Sequence, residues 1–249
     1  MRILVINPNT TASMTDKIGA AARSVVATGT TVRAVNPGMG PVSIEGFYDE
    51  AFAVPGLLEV IRDSESKSQA DAYVIACFDD TGLDAARCLT RAPVLGICEA
   101  GVYCASMIAN RFSIVTTLRR SVPAIERLLE RYGMRDRCSV RASEVPVLAL
   151  EDPDSDATAR VRAEIERSIE HDAAEAVLLG CAGMTDLAQR FSQQLELPVL
   201  DGVVCAVKLA ESLVSLGLMT SKTGGYASAN PKQYIGDLAR FAPHGDAKE

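Results

Sequence analysis

Short runs of nearly continuous apolar residues recur along the chain, and helical patterns separate them. The runs include RILVIN (2–7), AYVIAC (72–77), APVLGI (92–97), FSIVTT (112–117), EAVLLGC (175–181) and LPVLDG (197–202), and the more polar TTVRAVN (30–36) reads as a further strand. A strand that is apolar on both faces belongs in a sheet covered on both sides, and strands spaced by helices give parallel α/β sheets. The spacers have the right period. Met14, Ile18, Ala22 and Val25 fall on one helical face, with Ser13–Asp16 as a capping signal. Leu57, Leu58 and Ile61 mark a second helix, and a short one covers about 81–91. Helices are also predicted over 121–133, with Pro123 early and Gly133 as C-cap, and over 156–172, 187–195 and 203–217.

The two halves resemble each other. Cys77 precedes Pro93-Val-Leu by sixteen residues, and Cys181 precedes Pro198-Val-Leu by seventeen. Asn7 to Cys77 spans seventy residues and Thr116 to Cys181 sixty-five. The pattern predicts an internal duplication: two similar α/β lobes with parallel sheets, facing each other across a cleft. The first lobe is assigned to 1–98 plus 206–249, the last helix returning to it, and the second to 99–205. The glycine-rich stretch TSKTGGYASANP (220–231) reads equally as a loose tail or as a loop covering a site.

Charge and cysteine content narrow the classes. A net charge of −7 and the lack of a basic patch argue against nucleic acid and anionic membrane partners. No stretch reaches the ~18 apolar residues of a membrane span, and no signal peptide is read at the N-terminus. Seven scattered cysteines form no C-x-x-C pair, and only His171 and His244 offer imidazole. Neither a disulfide framework nor a zinc site is expected, and the expected setting is a reduced, cytoplasmic one.

Ligands in open α/β sheets bind beyond the carboxyl ends of strands. A lone cysteine there is ordinarily a packed, inert thiol. Cys77 and Cys181, however, end equivalent strands of a repeated unit, and facing lobes bring both to one cleft. Two opposed thiols suit proton transfer at carbon: one thiolate removes a proton from one face and the other thiol returns one to the opposite face, inverting configuration. The helix N-terminus after each strand is expected to stabilise the thiolate and bring its pKa near 7. No metal, flavin or pyridoxal is needed. Phe78, Ala182 and Gly183 suit carbonyls and amides of a neutral small molecule. Asp79 and Asp80 read as turn and N-cap residues. Asn9 and Thr117, at the ends of the matching first strands, are candidate polar contacts. The Gly38-Met-Gly40 pair lacks the rest of a nucleotide fingerprint, and GPVSIEG (40–46) reads as a loop near the site.

The segments ILVINPNTT, GPVSIEGFYDE, IACFDDTGLDAAR, FSIVTTL and LLGCAGM together resemble the aspartate/glutamate/hydantoin racemase superfamily, and its hydantoin branch within it. The resemblance covers nearly the whole chain. It implies a cofactor-independent racemase with Cys77 and Cys181 catalytic, lobes related by a pseudo-two-fold axis, and a homo-oligomer. On this reading the backbone at Phe78, Asp79, Ala182 and Gly183 holds the ring carbonyls of a 5-monosubstituted hydantoin. Amino-acid racemases carry Cys-Asn-Thr where this chain has Cys-Phe-Asp. Allantoin is itself a 5-substituted hydantoin, and allantoin racemases share both cysteine motifs. A maleate-type cis–trans isomerase or a two-lobed binding protein are the alternatives of other kinds.

Overall fold

The computed structural model describes residues 1–152 and 154–243. Residues 244–249, the end of the first-lobe assignment with His244, lie outside the described residues. The first half runs β1 (Arg2–Ile6), α1 (Ala12–Val25), β2 (Thr31–Val35), α2 (Phe47–Ser66), β3 (Ala72–Ile75), α3 (Leu83–Leu89), β4 (Val94–Gly96) and α4 (Ile97–Ile108). The second runs β5 (Phe112–Thr116), α5 (Val122–Arg131), β6 (Cys138–Ala142), α6 (Ala157–Asp172), β7 (Ala176–Gly180), α7 (Ala188–Leu195), β8 (Val199–Asp201) and α8 (Gly202–Ser215).

The strands form two parallel four-stranded sheets of identical order, β2-β1-β3-β4 and β6-β5-β7-β8. Each is covered on both faces, as the apolar runs require. The alternation within β1 shows how: Leu4 and Ile6 pack outward with Leu57, Ile61 and Leu83 of α2 and α3, and Ile3 and Val5 pack inward. In the second sheet Val115, Val177 and Leu179 face Val161, Ile165 and Phe191 of α6 and α7. The inward faces of both sheets share one continuous core with α1, α4 and α8.

Helix α4 is the element the sequence pattern leaves unread. It starts directly after β4 with no loop, and its residues ICEAGVYCASMI are apolar on nearly every side. A helix packed on several sides loses the one-faced period. It packs against α8 and against β7 of the second sheet, while α8 packs against β3 of the first. The approach is close. A Cβ on Gly202 would lie 2.4 Å from the Ile97 carbonyl oxygen, and one on Gly101 would lie 2.6 Å from Leu178 Cδ1.

Two local expectations differ from the structure. Helix α1 begins at Ala12 with Thr11 before it and no side-chain cap, so Ser13 already lies inside the first turn. Residues 220–226 do not float free, and none of the 220–231 segment lines a cavity with Cys77 or Cys181. Thr220 N–H donates to the Arg91 carbonyl at 2.8 Å, Lys222 Nζ to the Arg87 carbonyl at 2.6 Å and Tyr226 Oη to Asp84 at 3.1 Å, which straps the segment over α3. Gly133, by contrast, closes α5 as expected, with φ of 70° and its N–H on the Glu130 carbonyl.

Candidate active site

Strand register sets the site. Ile6 of β1 lies level with Ile75 of β3, so the residues leaving both strands, Asn7 and Ala76-Cys77, emerge at one edge. Thr116 of β5 lies level with Gly180 of β7, so Thr117 and Cys181 emerge together from the second sheet. Gly180 is required there: a Cβ would lie 2.9 Å from Thr116 Cβ, and the Thr116 hydroxyl donates to the Gly180 carbonyl at 3.1 Å.

These ends meet in one cavity. Its wall contains Asn7, Asn9, Met14, Ile44, Ala76, Cys77, Phe78 and Asp79 from the first half, and Thr116, Thr117, Ser121, Val147, Gly180, Cys181 and Ala182 from the second. The free space is about 40 Å³, so the cleft is narrow as it stands. Two clamps hold the halves: Val147 N–H donates to Glu45 Oε1 at 3.0 Å, and Lys17 Nζ donates to the Leu150 carbonyl at 3.0 Å while pairing with Glu151 at 3.0 Å. A larger cavity, bounded by Arg87, Leu209, Met219 and Tyr226, shares no wall residue with this one.

Of the residues singled out in the sequence, Cys77, Phe78, Asp79, Asn9, Thr117, Cys181 and Ala182 all reach the wall. Gly183 does not; it lies behind Cys181, and its carbonyl accepts from Lys17 at 3.5 Å. Asn9 is bound into its own turn, accepting from Asn7 Nδ2 at 2.8 Å and from Thr11 N–H at 2.9 Å. Ser121 and Val147 come from short 3-10 turns, Arg119–Ser121 and Val147–Glu151, and Ile44 from a loop; none is singled out as a site residue in the sequence. Ile44 does lie in the GPVSIEG loop that the sequence places near the site.

The surroundings of the two thiols are alike. Each sulfur receives a backbone N–H from the residue two positions on, Asp79 for Cys77 and Gly183 for Cys181. Cys77 also receives the Thr81 hydroxyl at 3.3 Å. The expected helix N-termini are not what meets them. Helix α3 starts only at Leu83, and Cys181 is followed by a 3-10 turn, Ala182–Met184, with α7 beginning at Ala188. Burial dominates instead. It pushes the Cys77 thiol well above its ordinary range, with Asp79 adding to the rise, and it pushes Cys181 up to about 11 against the Gly183 N–H. The expected pKa near 7 is thus not met in the narrow cleft.

Asp80 does something other than cap its own turn. It is buried with φ of +48°, a conformation Asp tolerates better than most residues. Its carboxylate accepts from Cys98 N–H at 3.0 Å, Glu99 N–H at 2.9 Å and Tyr132 Oη at 2.6 Å. It therefore caps α4, eighteen residues on, and ties it to the end of α5. Gly96 makes room: a Cβ there would lie 2.1 Å from Asp80 Oδ1. Register makes Gly96, level with Ile75, the counterpart of Asp201, level with Leu179. Asp201 caps α8 directly, accepting from Val203 and Val204 N–H and from the Thr185 hydroxyl. The two halves thus place a carboxylate at the same spot from different positions in the chain.

Comparison with known proteins agrees with this architecture. The family model described as Asp/Glu/Hydantoin racemase matches residues 3–210. A hydantoin racemase of Pseudomonas sp. (strain NS671) is 47% identical over 242 residues, covering 97% of each chain. One from Rhizobium meliloti is 49% identical over 237 residues, covering 95% of this chain and 98% of its own. The solved structure of an allantoin racemase from Klebsiella pneumoniae superposes with a TM-score of 0.95 at 48% identity, covering 98% of this chain and all (100%) of its own.

Proposed function

The chain belongs to the Asp/Glu/hydantoin racemase family and is an isomerase of the racemase kind, and on that premise we propose that it racemises 5-monosubstituted hydantoins without a cofactor. The observation that carries the reading is the wall of one narrow cavity, where Cys77 and Cys181 arrive from equivalent strands of two like sheets. One thiolate withdraws the C5 proton, the opposite thiol delivers one to the other face, and the enantiomers exchange the two roles. The electron pair left at C5 spreads onto the adjacent ring carbonyl as an enolate. A flanking carbonyl and the lack of a free carboxylate make this proton easier to remove than the α-proton of an amino acid.

Thr117 supports the reading as a substrate contact: it is buried on the wall, and its hydroxyl has no partner among the described residues. Phe78 and Ala182 supply apolar wall, and Asn9 lends polar edges. Allantoin, a ureido-substituted hydantoin, lies within the proposed class. We also assign the chain to a reducing, cytoplasmic setting, on its seven free thiols. Exposed Phe47, Tyr48 and Phe52 on α2 favour a homo-oligomer. Among the described residues no helix is long and apolar enough to cross a membrane.

The test is direct. One enantiomer of a 5-substituted hydantoin is incubated with the protein in D2O without cofactor, and optical rotation and deuterium at C5 are followed. Loss of rotation with deuterium uptake is expected. No change beyond the blank across benzyl, alkyl and ureido substituents would sink the proposal.

A further inference from the structure

Among the carboxylates near the cysteines, Asp79 differs from its neighbour in one respect. Asp80 is held by three donors, whereas the Asp79 side chain has no hydrogen-bond partner among the described residues, although it is 9% exposed and stands on the cavity wall. Its oxygens keep access to the cavity, since the one fully buried side-chain oxygen or nitrogen without a partner among the described residues is Glu151 Oε1, so a molecule in the cavity can reach them. It shares the cavity wall with both cysteines, and its charge acts on both thiols. Its counterpart two residues after Cys181 is Gly183, which has no side chain, so the cavity carries this group on one side only.

We propose that Asp79 is a further catalytic residue, one that holds its proton in the substrate complex and donates it as a hydrogen bond to the carbonyl oxygen on which the enolate charge develops. The inference rests on the racemase reading of this site. The competing possibility, an ionised Asp79 accepting a substrate N–H, puts a fixed negative charge beside a thiolate and beside a carbonyl becoming an enolate. A neutral acid adds no charge and supplies a donor where negative charge grows. No bond to Asp79 is made or broken, and the proton stays on its carboxyl oxygen.

The groups facing Asp79 favour the neutral form. Glu50 comes from α2 and Asp80 from the same turn; Cys77, Cys181 and, from α4, Cys98 are the thiols within its influence. No cation acts on it among these. Burial first, then Glu50 and Asp80, push its carboxyl up to about 7.

The experiment compares Asp79→Asn, Asp79→Ala and Glu50→Gln with the unaltered protein, following racemisation of one hydantoin enantiomer against pH. An amide still donates, so Asp79→Asn should stay within about 10-fold of the parent, whereas Asp79→Ala should lose about 100-fold in kcat. The parent rate should level off above about pH 7, where Asp79 ionises, whereas that of Asp79→Asn should go on rising toward the thiol range. Glu50→Gln should move the levelling-off to lower pH. Equal losses in Asn and Ala variants with an unchanged pH profile would overturn the donor role. A second measurement does not need turnover. With 5,5-dimethylhydantoin, which has no C5 hydrogen, the infrared difference spectrum of parent minus Asp79→Asn at pH 6 should hold the band of a protonated carboxyl, over the bands that Asp80 and Asp201 give in both proteins. A carboxylate band in that difference spectrum, with no protonated-carboxyl band, overturns the proposal. If the band is present but no hydantoin racemises, the racemase reading fails while the protonation of Asp79 stands.

Discussion

Replacing Asp80 with alanine should destabilise the protein by about 3 kcal/mol, and the structure says where that comes from. The carboxylate takes the first N–H groups of α4, at 3.0 and 2.9 Å, and losing such a cap costs about 1 kcal/mol. It also takes the Tyr132 hydroxyl at 2.6 Å, and a buried hydroxyl left without a partner costs roughly 1–3 kcal/mol. At about 2–4 °C per kcal/mol for a chain of this size, the melting temperature should fall by roughly 6–12 °C, read by circular dichroism at pH 5, below the range in which Asp80 ionises in the folded protein. Gly96→Ala supplies the internal control. With Asp80 present its Cβ meets a carboxylate oxygen at 2.1 Å and should cost about 1–3 kcal/mol; with Asp80→Ala that conflict is gone. Combining Gly96→Asp with Asp80→Ala copies the arrangement of Asp201 and should recover part of the loss. An Asp80→Ala protein within about 0.5 kcal/mol of the parent, or a Gly96→Ala cost independent of residue 80, would refute the reasoning.

Other outcomes follow from the same geometry. Thr81→Val removes the hydroxyl donated to Cys77 at 3.3 Å, raises that thiol further, and should lower kcat about 10-fold in the direction that uses Cys77 as base, measured by initial rates from each enantiomer. Asp79 and Asp80, both raised to about 7, and Asp201, raised to about 6, bind protons more tightly folded than unfolded. Their stabilising contribution is full below the unfolded carboxylate range and is lost as pH rises through 6–7, so the melting temperature should be higher at pH 5 than at pH 8. Below about pH 4 the lowered carboxylates of Asp71, Asp84 and Asp172 reverse the trend. Cys104 on α4 is paired with Cys205 on α8, and the pairing lowers the Cys104 thiol below its ordinary range. Iodoacetamide at pH 7.5 should therefore label Cys104 before Cys77 or Cys181, as read by peptide mass spectrometry.

The sheets were legible because each buried strand is an apolar run that no surface strand could carry. The repeat was legible because Pro93 and Pro198 mark strand starts at matching distances from a cysteine. From these the identical order of the two sheets and the meeting of Cys77 with Cys181 follow. Helix α4 was not legible, since its solvent side carries Tyr103, Met107 and Ile108 and so offers no polar face to give it a period. The role of Asp80 was hidden for a related reason: its partners, Cys98, Glu99 and Tyr132, are set by the fold and not by neighbouring residues. Local pattern likewise proposed a cap at Ser13 that the chain does not use. The thiols show where motif reasoning goes wrong in sign. A strand followed by a helix suggests a stabilised thiolate, but burial in a narrow cleft outweighs the single N–H groups from Asp79 and Gly183. The proposed two-thiol mechanism therefore requires that substrate, once bound, lower one of these thiols.

The central claim is that Cys77 and Cys181 are the two opposed bases. It is tested most directly by Cys77→Ser and Cys181→Ser, each incubated with each hydantoin enantiomer in D2O, with racemisation and C5 deuteration followed separately. The account predicts that both variants lose racemisation by at least about 100-fold. It also predicts that deuterium exchange without inversion, where it survives, favours opposite enantiomers in the two variants. Full racemisation by either variant would contradict it.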